Sequence, residues 1–129
     1  MPADRRRLLG LRDDVERLLA AAAVSVNAAI KGEALSGSVR ESLAMGVPAV
    51  AGDISGNSEI VRDGVTGLLY PVGDSAALAA RLEAVLRDPG LREKFSKNSV
   101  SLVRENFTTA IMGRRTLDYY LELQAARAR

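Results

Sequence analysis

Glu33 and Glu41 stand eight positions apart in Glu33-Ala34-Leu35-Ser36-Gly37-Ser38-Val39-Arg40-Glu41, and Gly46-Val47-Pro48-Ala49-Val50-Ala51 follows at once. A loop of small residues here leads into a short helix starting near Ser36 or Gly37; Gly46 ends it and Pro48 opens an apolar strand. The amides of Gly37, Ser38 and Val39 would then point outward from the positive end of the helix. An anion at such a terminus gains about 0.3–1 kcal/mol when exposed and up to about 2 when partly buried, enough to favour phosphate without fixing it. Glu33 lies before the helix and Glu41 about one turn inside it, so two carboxylates flank the anion at different depths. Carboxylates next to a phosphate suit neighbouring hydroxyls, each hydrogen bond to the charged acceptor contributing about 1.5–3 kcal/mol. Phosphate and hydroxyls together describe a nucleotide-sugar. Spacing alone favours the plainer reading, in which Glu41 is a solvated helix residue and Glu33 a loop charge.

The elements that must position these residues alternate. Leu8-Leu9 reads as a short strand, and Asp13-Asp14 opens a helix running to about Ala22. A strand at Val24 to Asn27 follows, then the helix from Ser38 to Met45, a strand at Ala49-Val50, a helical turn from Ser58 to Val61 and a strand from Gly67 to Tyr70. Asp74 is a good N-cap for a helix from Ala77 to Arg87, ended near Asp88-Pro89-Gly90. Two further helices, Leu91 to Val103 and Thr109 to Ala126, show helical spacing of apolar residues, the latter through Ile111, Leu117, Tyr120 and Leu121. Alternation predicts an α/β fold with a partial Rossmann-like parallel sheet and C-terminal helices. Ligands of such sheets bind beyond the strand C-termini, where Asn27 to Gly37 and Gly52 to Asn57 fall.

Composition narrows the chemistry. The 129 residues can form one domain, burying about two-thirds of the unfolded surface. Apolar residues make up 47% and aromatics 4%, so the core relies on Leu, Val and Ala. With no cysteine and no histidine, the chain has no disulfide, cysteine nucleophile, histidine base or common zinc ligand set. A net charge of +2 without a clustered aromatic-basic face gives no nucleic-acid signal. The most apolar stretch, Leu18 to Ile30, contains Ser25 and Asn27 and falls short of the roughly 20 residues that span a bilayer, so no transmembrane segment is expected. Arg12, Asp13 and Asp14 interrupt any signal-peptide core, which argues against export. The expected location is cytoplasmic, with a peripheral position at the inner membrane face as the other option.

From Leu8 to about Leu121 the chain resembles the C-terminal, donor-binding half of the GT-B glycosyltransferases, specifically the retaining group called glycosyltransferase family four, or glycosyl transferases group 1. The resemblance is carried in order by Leu9-Gly10, Asp13-Asp14-Val15, Leu18 to Ala22, the Glu-x7-Glu pair, Ala44 to Ala51, Gly56-Asn57-Ser58-Glu59-Ile60-Val61, Asp63 to Pro71 and Gly73-Asp74. It implies that Glu41 binds the donor ribose, that Glu33 is the catalytic glutamate facing the donor sugar, and that Gly37, Ser38 and Val39 give amides to the diphosphate. Asn57 and Glu59 would belong to a donor-site loop, though Asn57 could equally cap its turn and Glu59 brace the loop.

The chain also departs from the family pattern. Glu33-Ala34-Leu35-Ser36 stands where the family writes Glu-Gly-Phe-Gly, so Ala34 adds a Cβ near the sugar's path. Ala23 and Ala28-Ala29 replace Asp and Pro-Ser, and Ser55-Gly56 replaces a glycine pair. Nothing corresponds to the acceptor domain or to the two early strand-helix units that supply a basic pair to the diphosphate. Residues 1–129 are thus expected to form an incomplete donor-binding domain, truncated at the N-terminus, of a retaining, hexosyl-type transferase. Its donor substrate would be a nucleotide-diphosphate sugar and its acceptor is unknown, with no metal or cofactor implied. A non-catalytic nucleotide-sugar-binding or interaction fragment, or one half of a split enzyme, is the competing expectation. Either makes a partner chain or self-association plausible. A nucleotide-sugar epimerase is argued against by the missing histidine. Lys31 reads as a solvated loop cation or a phosphate ligand. Gly64 and Gly67 read as turn glycines, and Tyr119-Tyr120 as one core and one surface residue.

Overall fold

The computed structural model describes residues 5–31 and 34–127, so Glu33 lies outside the described residues. The chain runs α1 (Val15–Ala20), β1 (Ser25–Asn27), α2 (Gly37–Ala44), β2 (Ala49–Gly52), α3 (Asn57–Ile60), β3 (Gly67–Tyr70), α4 (Ser75–Arg87), α5 (Pro89–Asn106) and α6 (Thr109–Arg127). The strands are parallel in the order β1-β2-β3, with Val26 opposite Val50 and Val50 opposite Leu68. The expected α/β fold with a small parallel sheet and C-terminal helices is the observed one.

Side-chain alternation divides the core between the two faces of the sheet. Ala49 and Ala51 point to one face, where they meet Val39 and Leu43 of α2, Ile60 and Val61, with Val103 and Phe107 alongside. Val50, Leu68 and Tyr70 point to the other and meet Val85 of α4 and Phe95 of α5. Helix α5 therefore serves both clusters. The small residues of β2 let α2 lie close to the sheet, and burying side chains such as Leu43 and Phe95 completely is worth about 1.5–3 kcal/mol each. Gly67 is a strand residue rather than a turn residue: a Cβ there would run into the Ala49 carbonyl oxygen of the neighbouring strand. Gly64, at φ +72°, is a turn glycine as expected.

Several boundaries differ from the sequence reading, three of them for identifiable reasons. Leu8-Leu9 forms no strand; Leu8 and Leu11 are fully exposed, and no described strand runs on the free side of β1 for them to pair with. Helix α1 stops at Ala20 and buries no residue. Its N-cap residue Asp14 makes no capping bond, because Arg12 holds both carboxylate oxygens at 2.6 Å and keeps that carboxyl below the usual range. Helix α5 begins at Pro89, not Leu91. Asp88 Oδ1 accepts from Leu91 N at 2.9 Å with Pro89 in the first turn, so Asp88-Pro89 is a start signal as much as a stop.

Candidate functional site at the strand ends

Helix α2 is set by both of its ends. At the C-terminus Gly46 takes φ +73°, Gly46 N donates to Leu43 O at 3.1 Å and Val47 N to Ser42 O at 2.8 Å, the paired bonds of a left-handed glycine cap. The buried stripe Val39, Ser42 and Leu43 seats the helix on the sheet, and Ser42 turns its hydroxyl back to Ser38 O at 2.8 Å, which lets a polar residue be buried. At the N-terminus Ser36 has the extended backbone of an N-cap and its carbonyl accepts from Arg40 N at 3.1 Å, yet its side chain makes no capping bond. The helix starts at Gly37, as its small residues predict, with its first turn at the C-terminal edge of the sheet and uncapped by Ser36.

The Ser36 hydroxyl is engaged elsewhere. It accepts from Asn27 Nδ2 at 3.0 Å and lies 3.2 Å from Ser38 Oγ. Asn27, the last residue of β1, also accepts from Ala29 N at 3.0 Å and from Asn57 Nδ2 at 3.4 Å. Asn57 is fully buried, donates to Gly52 O at 3.0 Å, and leaves its Oδ1 without a partner among the described residues. Asn57 therefore neither caps its turn nor faces solvent; it ties the loop after β2 to the end of β1. Glu59 is exposed and in no ion pair among the described residues.

Glu41 is exposed on α2 one turn past Gly37, on the ridge between two clefts. One, of about 430 Å³, lies toward α1 and is lined by Val15, Glu16, Leu19, Ala44 and Met45 with Glu41 itself. The other, of about 320 Å³, lies toward the α5–α6 junction against Val103, Phe107 and Met112. Gly37, Ser38, Val39 and Glu41 are thus brought onto one short helix. Val39 contributes its backbone only, its side chain being in the core. Lys31 is exposed and makes no ion pair among the described residues.

A third cavity, of about 500 Å³, lies beside Leu35 and Arg40 and is walled by Phe107, Met112, Arg115 and Tyr119 with Tyr120. Both tyrosines line it and are 59% and 60% exposed, so the expected division into one core and one surface residue does not hold: α6 buries no residue for a core tyrosine to join. Sequence reasoning put Asn27 and Ser36 on the ligand side of the sheet but gave their side chains no role. A polar residue ending a strand just before the ligand-side loop is the signal that could have found Asn27. Among the described residues no helix is long and apolar enough to cross a membrane.

A parallel sheet covered by helices on both faces, with a helix terminus uncapped by its serine beyond the strand ends, is a Rossmann-like α/β arrangement with its ligand side at that edge. The profile of the glycosyl transferases group 1 family matches residues 4–101. The chain belongs to that family. It is similar to a phosphatidyl-myo-inositol mannosyltransferase of Mycobacterium leprae, 40% identical over 100 residues that cover 76% of this chain and 27% of that protein. A putative glycosyltransferase, EpsD of Bacillus subtilis, is 41% identical over 88 residues, covering 68% and 23%. Among solved structures, Anabaena HepE in complex with UDP superposes with a TM-score of 0.88 at 24% identity, over 92% of this chain and 33% of that one. Sucrose-phosphate synthase from Thermosynechococcus elongatus gives 0.77 at 29% identity, over 84% and 27%. The chain spans about a quarter of the length of these curated relatives.

Proposed function

We propose that residues 1–129 form donor-binding structure of a retaining, hexosyl-type glycosyltransferase that uses a nucleotide-diphosphate sugar. The observation that carries this reading is the first turn of α2, uncapped by Ser36 at the sheet's C-terminal edge, with Glu41 one turn behind it. In this reading the amides of Gly37, Ser38 and Val39 receive the diphosphate and stabilise the charge that grows on it as the glycosidic bond breaks. Glu41 accepts from the ribose hydroxyls, with the cleft toward α1 taking the nucleoside. Glu33 faces the sugar, a role that rests on the family resemblance alone. Asn57 and Glu59 belong to the loop that closes the site from the β2 side. The UDP bound to HepE supports a nucleotide of this kind as donor. No metal or cofactor is called for in this scheme, and the proposed location is cytoplasmic or peripheral at the inner membrane face.

Titration of the purified chain with UDP and UDP-glucose tests the reading. Saturable binding that perturbs the α2 amides is expected, and no binding by either ligand at millimolar concentration would remove it. A second reading, one half of a split enzyme or a non-catalytic nucleotide-sugar-binding fragment, is favoured by α6, whose Leu117, Tyr119, Tyr120 and Leu121 all lie exposed.

A further inference from the structure

A serine with N-cap backbone geometry normally turns its hydroxyl onto the amides of the first turn. Ser36 has that geometry, at φ −60° and ψ 121°, and forgoes the bond. Its Oγ is drawn aside by Asn27 Nδ2 at 3.0 Å. The Asn27 amide cannot flip to release it, because Oδ1 is fixed by Ala29 N at 3.0 Å and a flip would set two donors against each other. The same Oδ1 faces Asn57 Nδ2 at 3.4 Å, and Asn57 grips Gly52 O at 3.0 Å while its own Oδ1 stays buried and unpartnered among the described residues. A buried acceptor without a donor destabilises the fold, so this junction makes more sense as a device for placement than as one for stability.

We infer that Asn27 is a positioning residue of the donor site: it holds the Ser36 hydroxyl off the backbone amides of α2, beside Ser38 Oγ at 3.2 Å, keeping the Gly37–Val39 amides open for the donor diphosphate, and registers that turn against the loop after β2. The inference rests on the nucleotide-sugar reading above. Asn27 touches no ligand in this scheme; it acts through Ser36 and Asn57.

The test separates a held-off hydroxyl from a merely structural contact. Amide exchange by NMR and UDP titration are measured on the full chain for wild type, Asn27→Leu, Ser36→Ala and the double variant. Freed from Asn27, Ser36 is expected to cap α2, slowing Val39 exchange and weakening UDP binding by about tenfold each. Adding Ser36→Ala removes the competing hydroxyl and restores affinity to within about threefold of the Ser36→Ala single variant. A structural role predicts the opposite, a double variant weaker than Asn27→Leu, and that result would overturn the inference. Should Asn27→Leu fail to fold, Ser36→Ala alone decides. Val39 exchange within about twofold of wild type supports the inference, whereas acceleration by about tenfold shows that Ser36 caps in solution and overturns it. Wild-type amides of Gly37–Val39 that neither UDP nor inorganic pyrophosphate moves would remove the nucleotide-sugar reading and this inference with it; amides that respond while the variants behave structurally remove the inference alone.

Discussion

Glu41 is exposed and in no ion pair among the described residues, so the fold loses little when its carboxylate goes. Glu41→Ala should therefore change stability by no more than about 0.5 kcal/mol. A ligand whose hydroxyls it accepts would lose about 1.5–3 kcal/mol, a dissociation constant raised about tenfold or more. Calorimetric titration with UDP checks this, and unchanged affinity in a chain that binds UDP would remove the ribose role. Glu33→Gln should weaken UDP-glucose more than UDP, since the proposed role is toward the sugar; equal losses in paired titrations would count against it. At this scale the site was only partly legible. The spacing of Glu41 from Gly37 follows from helix geometry and could be read directly. The Asn27–Ser36 and Asn27–Asn57 contacts join residues 9 and 30 positions apart, and nothing local in the sequence announces such pairings.

Helix α2 depends on one glycine at its end. Gly46 sits at φ +73°, and an added Cβ would lie 2.7 Å from Ser96 Oγ of α5. Gly46→Ala therefore meets backbone strain and crowding together, an expected cost of about 1–3 kcal/mol. Urea unfolding measures it; a loss under about 0.5 kcal/mol would mean that the α2–α5 contact gives way easily. Asp88→Ala, which removes the bond to Leu91 N, should cost about 1 kcal/mol by the same assay. Elements with strong local signals were legible: Gly46 and Pro48 bracket the passage from α2 to β2, and Asp74 accepts from Ala77 N at 2.8 Å where its cap was expected. Leu8-Leu9 failed because a strand is made by its neighbours, and two leucines carry no information about whether a partner stands beside them.

Across the whole molecule, the packed sheet and α6 differ sharply. Strands β2 and β3 share a core on both faces, while α6 runs 19 residues without burying one and exposes Met112 at 60%, Leu117 at 57% and Leu121 at 53%. Most helical stability in proteins comes from packing of an apolar face, so α6 gains from any surface that covers it. The 129-residue chain is expected to self-associate in solution, and the double substitution of Leu117 and Leu121 by serine should reduce its mass by light scattering toward that of a monomer. The described residues also present one wall of the proposed site. Holding donor and acceptor in register between two walls can lower a barrier by about 7–11 kcal/mol, and a single wall forgoes that contribution. Sugar release from UDP-glucose to an added acceptor is therefore expected to be absent for these residues alone and to appear only when the acceptor side is supplied. A monodisperse monomer that transfers sugar would overturn both expectations, because it would show that the exposed face of α6 needs no cover and that the α2 site works without an opposing wall.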